Sequence, residues 1–239
     1  MQLSTDTVLY AQWIPATNFI ISFDYQGATG GTDTVNKEVS SFELVGELPE
    51  PVKNGYTFNG WFTLANGEGT LYESTTIFSA GANLTLYAYW VGVENTLKFD
   101  ANTGEGSMED LKVRTGEEIE VPSAKFTKDG QVFSKWTTKP DGTGMSYNAG
   151  VKLIMPDGNL TLYAQYVQGF YLTYNTDGGI NDGYKDFVKV VKTPIFTQKE
   201  GYKLAGWYQD AEFKTGVIFP ITLSTDKTIY AKWVEVVND

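Results

Sequence analysis

The 239-residue sequence predicts an α+β chain, predominantly β, made of tandem small modules arranged as an extended rod. Three observations predict it. The same short segments return in the same order along the chain. Within them, apolar and polar residues alternate with the period of two that places successive side chains on opposite faces of a strand. Clusters of Gly, Asn and Asp, the residues that turns select, divide one alternating run from the next.

The opening segment of each unit is an alternating run: Ile21-Ser-Phe-Asp-Tyr25, Leu97-Lys-Phe-Asp-Ala101 and Leu172-Thr-Tyr-Asn-Thr176. Ile21, Phe23 and Tyr25 are expected to face inward. The stretch that follows, such as 104–121, is the least readable; it suggests a strand over Met108–Arg114 and then a short helix or turn. The middle segment, Gly55-Tyr-Thr-Phe-Asn-Gly-Trp61, Gly130-Gln-Val-Phe-Ser-Lys-Trp136 and Gly201-Tyr-Lys-Leu-Ala-Gly-Trp207, reads as a strand entering a hairpin. Tyr72 and Tyr147 each follow their Trp by 11 residues across a Gly-rich turn, which is hairpin spacing.

The ending occurs four times, as Leu9-Tyr-Ala-Gln-Trp13, Leu86-Tyr-Ala-Tyr-Trp90, Leu162-Tyr-Ala-Gln-Tyr166 and Ile229-Tyr-Ala-Lys-Trp233. Leu84, Leu86, Ala88 and Trp90 share one face of a strand, and the recurring Ala implies a neighbour too close for a larger side chain. An Asn or Asp turn (Asn83, Asn159, Asp226) precedes each complete ending. The endings close at 13, 90, 166 and 233, so successive units measure 77, 76 and 67 residues. Units of that size hold a core of their own, unlike the 20–45-residue repeats of a solenoid. Residues 1–13 read as the tail of a preceding repeat, 14–91 as repeat 1, 92–167 as repeat 2 and 168–239 as repeat 3. The natural protein is therefore expected to extend upstream.

Composition narrows the chemistry. The sequence has neither Cys nor His, which removes disulfides, thiolate and Ser-His-Asp catalysis and the commonest transition-metal ligand. The net charge of −11 is uneven: residues 1–95 hold 2 Lys and Arg against 10 Asp and Glu, whereas 96–166 hold 8 against 10 and 167–239 hold 8 against 9. No basic patch for nucleic acid stands out. No apolar run approaches the ~18 residues of a membrane span, and Met1–Asp6 lacks the basic and apolar regions of a signal peptide. Neither nucleic acid nor membrane insertion is expected.

Taken together, the middle and ending motifs resemble the Listeria–Bacteroides repeat, also called the internalin B-repeat, over nearly the whole chain. The resemblance implies a β-grasp (ubiquitin-like) fold in each module, and a bacterial cell-surface or cell-wall location, typically in Gram-positive bacteria. It further implies a non-catalytic role as stalk or spacer, with adhesion to a host-surface protein or glycan and contact with neighbouring repeats. Repeat 2 departs from the pattern at Gln131, Lys135 and Tyr166, and repeat 3 lacks the Gly-x-Gly turn. The family supplies no catalytic, cofactor-binding or metal-binding residues, and none is expected here. The alternatives are a carbohydrate- or protein-binding module, or an accessory region of a large surface enzyme.

Several residue groups invite a reading as sites. Asn175–Gly183 and Asp100–Glu105 carry oxygen ligands at short spacing but lack the remaining positions of a calcium loop, and turn chemistry explains both. The carboxylates of Glu109 and Asp110 and of Glu117, Glu118 and Glu120 do not recur in the other units, so a solvated face is the simpler reading than paired acid–base chemistry. The recurring aromatics read as core, leaving Tyr25, Tyr89 and Tyr184 as candidates for a contact surface. Asn83-Leu-Thr85 and Asn159-Leu-Thr161 match a glycosylation sequon only because the strand entry repeats.

Overall fold

The structure, a computed structural model, describes Tyr10 and residues 15–236. The ending at 9–13 therefore lies outside the described residues, Tyr10 apart. Strand accounts for 47% of the described residues and helix for 1%, so they are nearly all β. Among the described residues the helical part is a single 3-10 turn at Ala65–Gly67, and in place of the short helix or turn expected between opening and middle segments stand turns, isolated bridges and the short strands Glu118–Glu120 and Val190–Val191. Met108–Arg114 contains a strand, at Leu111–Arg114.

Packing separates the chain into two compact units. One runs to Asn95 and includes Val113–Glu117 and Met155–Gly158; the other contains Thr96–Lys112, Glu118–Ile154 and the chain from Asn159 onward. The first unit holds a five-stranded sheet of β1 (Asn18–Asp24), β2 (Asn36–Ser40), β3 (Tyr56–Phe62), β4 (Leu71–Tyr72) and β5 (Leu84–Gly92), in the order β2-β1-β5-β3-β4. β1 and β5 run parallel, and their other neighbours are antiparallel.

The same order returns in a sheet of β6 (Glu94–Asp100), β7 (Leu111–Arg114), β9 (Gln131–Thr137), β10 (Ser146–Tyr147) and β12 (Leu160–Gln168), with β6 and β12 parallel. Between them, β8 (Glu118–Glu120) and β11 (Lys152–Ile154) make a separate two-stranded ladder. The last sheet has four strands, β13 (Phe170–Asn175), β14 (Lys185–Val188), β16 (Tyr202–Tyr208) and β18 (Lys227–Glu235), again with the first and last parallel. β15 (Val190–Val191) and β17 (Ile221–Thr222) pair beside it. Only Val93 separates β5 from β6, and only Gly169 separates β12 from β13.

Each core is organised by the middle Trp. Trp61, Trp136 and Trp207 are buried and stand directly across the ladder from Ala88, Ala164 and Ala231. The recurring Ala is thus the space an indole occupies, and a longer side chain there would be forced into the ring. Phe23, Phe99 and Tyr174 of the opening strands lie 4.8, 5.1 and 5.2 Å from these indoles, ring centre to ring centre. Such tilted aromatic pairs add roughly 0.5–1.5 kcal/mol beyond the area they bury. On the hairpin side, Trp61 faces Tyr72 and Trp136 faces Tyr147, the partners that the 11-residue spacing predicted. Gly60, at φ 112°, carries the bulge that shifts register between Phe58 and Trp61, and a Cβ there would lie 2.8 Å from Leu71.

Candidate functional site

The residues that recur outside the three cores gather along the line where the opening and closing strands meet. In every repeat that parallel seam pairs four residues: Ile21–Asp24 with Leu84–Tyr87, Leu97–Asp100 with Leu160–Tyr163, and Leu172–Asn175 with Lys227–Tyr230. At the start of the seam, the residue before the closing strand reaches across. Oδ1 of Asn83 accepts the backbone N–H of Ile20 at 2.9 Å, Oδ1 of Asn159 accepts Thr96 at 2.8 Å, and Oδ1 of Asp226 accepts Tyr171 at 2.9 Å.

The far end is closed by the aromatic of the ending. Trp90 Nε1 donates to the carbonyl of Tyr25 at 3.0 Å, Tyr166 Oη to that of Ala101 at 2.7 Å, and Trp233 Nε1 to that of Thr176 at 2.7 Å. Tyr166 replaces Trp in repeat 2 and still delivers a donor to the corresponding carbonyl. Its phenol is raised above the ordinary tyrosine range by burial and by the nearby Asp100 carboxylate, which keeps the donated proton in place.

A lysine completes the arrangement. Lys53, Lys128 and Lys199 each precede the motif Gly by two residues. Their ammonium groups donate to Gln26 O at 2.9 Å, Thr103 Oγ1 at 2.8 Å and Asp177 O at 2.6 Å, all in the turn after the opening strand. Lys53 also lies over Trp90 and Lys128 over Tyr166, at 5.8 and 5.1 Å from the ring centres. Sequence reasoning places the closing aromatic in the core, against which Trp90 and Trp233 do pack, and passes over the lysine. Its fixed offset from the Gly was the available signal.

The groups weighed from sequence are mostly engaged in turns. Asn175 Oδ1 accepts Asp177 N at 3.0 Å, Asp182 Oδ1 accepts Thr176 N at 2.6 Å, and Asp177 Oδ2 accepts Lys199 Nζ at 3.2 Å. In the other loop Asp100 Oδ1 accepts Asn102 N at 2.7 Å. Among the described residues no three acidic side chains come together as a metal site. Glu118 pairs with Lys152 at 2.5 Å on the outer face of the β8–β11 ladder, Glu117 accepts the backbone N–H of Arg114 at 3.0 Å, and Glu109 and Asp110 are exposed in a loop. The structure does not bring these carboxylates together across a cleft.

Of the three aromatics considered for contact, two are packed. Tyr25 lies edge-on to Trp61 at 5.3 Å and donates to Thr34 O at 2.5 Å. Tyr89 lies edge-on to Phe62 at 5.6 Å. Tyr184 is 48% exposed and remains available to a partner.

One concave surface went unnoticed in the sequence. An open groove of ≈590 Å3 in the first repeat has Phe58, Trp61 and Leu71 among its lining residues, together with the carboxylates of Glu47, Glu50 and Glu73. The concentration of acid in residues 1–95 was its sequence signal. Both ion pairs found among the described residues lie in the later repeats; the nearest cation shown is Lys37, whose ammonium donates to the backbone carbonyl of Glu47.

The profile of the Listeria-Bacteroides repeat domain matches residues 19–89, 96–165 and 170–232. The chain belongs to this family. Among curated proteins, this Listeria-Bacteroides repeat chain is 31% identical over 205 residues to a protein of Evansella cellulosilytica named as a Gly-rich membrane protein, covering 81% of the chain and 24% of that relative. It is 36% identical over 151 residues to Internalin H of Listeria monocytogenes, covering 61% of the chain and 26% of the relative. A second membrane-named protein of E. cellulosilytica is 28% identical over 168 residues, covering 69% of the chain and 24% of that protein. The chain thus spans about a quarter of the length of these relatives. Its repeats are of the kind found in bacterial membrane and surface-type proteins. No helix among the described residues is long and apolar enough to cross a membrane, which leaves spanning by strands untouched.

Proposed function

We propose that the chain is a non-catalytic spacer segment of a bacterial cell-surface protein, holding other parts of that protein away from the wall or membrane as an extended rod of β-grasp modules. The observation that carries this reading is where the recurring side chains go. The residues common to all three repeats are spent on the cores, on the two ends of the seam and, for the recurring lysine, on bracing the turn after the opening strand. A repeated catalytic or binding site would repeat its functional residues; a repeated spacer repeats only what folds it. The strand order with parallel first and last strands supports the β-grasp assignment, with loops filling the crossover where a ubiquitin-like fold has its helix. The single-residue junctions at Val93 and Gly169 leave little slack between repeats, which supports a stiff array.

Small-angle scattering on the whole chain tests this. A maximum dimension well above that of a compact 26.5 kDa globule is the expected result; a compact particle would refute the rod.

The groove in the first repeat supports a second reading, that one module also binds a host-surface protein or glycan. Its apolar lining and three carboxylates suit a basic, partly apolar protein segment. An array of host proteins and glycans probed with the chain is expected to return basic protein ligands that a Glu47→Gln/Glu50→Gln/Glu73→Gln variant no longer holds. An empty array would remove this reading and leave the spacer.

A further inference from the structure

Tension on a tandem chain enters each repeat through its first strand and leaves through its last. In all three repeats those two strands are parallel neighbours joined by a four-residue register. Pulling the start of β1 one way and the end of β5 the other slides the strands along each other. Every bond of the seam is then loaded together, because none can open before its neighbours are also strained. A seam pulled apart from one end, in contrast, opens one bond at a time.

The side-chain bonds at the seam's two ends lie across the same line. Asn83, Asn159 and Asp226 hold its start, and Trp90, Tyr166 and Trp233 hold its finish. Sliding β5 along β1 displaces all of these donors and acceptors at once. The partners, on the opening strand or the residue directly after it, are backbone groups, which do not rotate away as a side chain would.

We propose that this doubly clasped parallel seam is the force-bearing element of each repeat, so that the chain resists tension as well as providing length. The biological use rests on the spacer reading, whereas the mechanical property does not; scattering tests the first without reference to force, so the two can fail separately.

Single-molecule stretching of the whole chain tests the proposal. Pulled by its ends, the chain should show three unfolding events, each releasing on the order of 200–250 Å at ~3.3–3.6 Å per residue. Because the sequence has no Cys, an introduced pair defines a pulling axis without ambiguity. Handles at Ala16→Cys and Ala82→Cys unzip the first seam from one end, and should rupture it at roughly half the end-to-end force or less. Equal forces along the two axes would overturn the proposal.

The clasps have their own arm. Tyr166→Phe removes one oxygen and keeps the ring, and should raise the unfolding rate of one of the three events at fixed force about five-fold, the equivalent of about 1 kcal/mol. Its circular dichroism should match that of the parent chain. A folded Tyr166→Phe chain with an unchanged rate would overturn the role given to the clasp.

Discussion

The second and third repeats place an aromatic ring from the opening strand against the indole of the middle strand, at nearly the same separation. In the second, Phe99 meets Trp136, whose Nε1 donates to Pro122 O at 2.7 Å. In the third, Tyr174 meets Trp207; the buried indole nitrogen has no hydrogen-bond partner, and the buried phenol finds no acceptor for its proton, although the Ile195 backbone bears on its oxygen. Repeat 1 follows the second pattern, with Phe23 and a bond from Trp61 Nε1 to Pro49 O at 2.9 Å. One module architecture therefore tolerates a core that leaves two polar groups unsatisfied, at a cost of about 1–3 kcal/mol for each. The shared packing holds the fold, and the hydrogen bond is a refinement on top of it.

The largest effect expected from this comparison is on the middle Trp. Trp136→Ala should destabilise the second repeat by about 3–5 kcal/mol, through the cavity and the stranded Pro122 carbonyl. Trp207→Ala should cost less, since no bond is lost with its ring; repeat-resolved hydrogen exchange on the whole chain would separate the two. Equal losses would mean that the bond contributes nothing.

Next in size is the exchange of one oxygen. Tyr174→Phe should stabilise the third repeat by about 1–3 kcal/mol, and Phe99→Tyr should destabilise the second by a similar amount. Denaturant midpoints of the two variants measured against the parent check both.

The same tyrosine predicts a pH effect that is largest in repeat 3, the phenols of Tyr25 and Tyr166 being raised less. Burial, and then the Asp186 carboxylate, push the Tyr174 phenol up to about 12, so the folded state holds this proton more tightly than the unfolded chain does. That contribution is fully present below the ordinary tyrosine value of about 10 and is lost as the pH rises from there through 12. Hydrogen exchange between pH 10 and 12 is not practical, so near-ultraviolet circular dichroism against pH is the measurement. Tyr174→Phe should shift the alkaline transition upward, and an unchanged transition would place its cause elsewhere.

The smallest effect belongs to the seam. Asn159→Ala and Asp226→Ala should each cost about 0.5–1.5 kcal/mol, with similar losses in the two repeats because the acceptor geometry is the same. Thermal unfolding of each single variant tests whether amide and carboxylate clips are equivalent.

What the sequence made legible follows from these contacts. The endings and middle motifs stood out because Trp and Ala face each other across a ladder, a pairing that fixes the side chains on both sides. The Trp61–Tyr72 and Trp136–Tyr147 hairpins were readable from spacing alone. The clasps were hidden because their partners, such as Tyr25 O and Ile20 N–H, are backbone groups that leave no side-chain signature. The opening strands could vary in sequence for the same reason. The β8–β11 and β15–β17 ladders were missed because runs of two or three residues are too short to display a period. Nor does the sequence distinguish Trp207 from its counterparts: Pro194 stands 13 residues before it, yet the indole is unpaired.

The clip at the start of the seam also bears on how the protein is made in the laboratory. Asn83 and Asn159 are exposed, are followed by Leu-Thr, and use Oδ1 for the strand contact, which leaves Nδ2 free of that bond. A eukaryotic secretory host would find two sugar-acceptor sites in the chain and none at Asp226, so the first two repeats would leave such a cell glycosylated and the third bare.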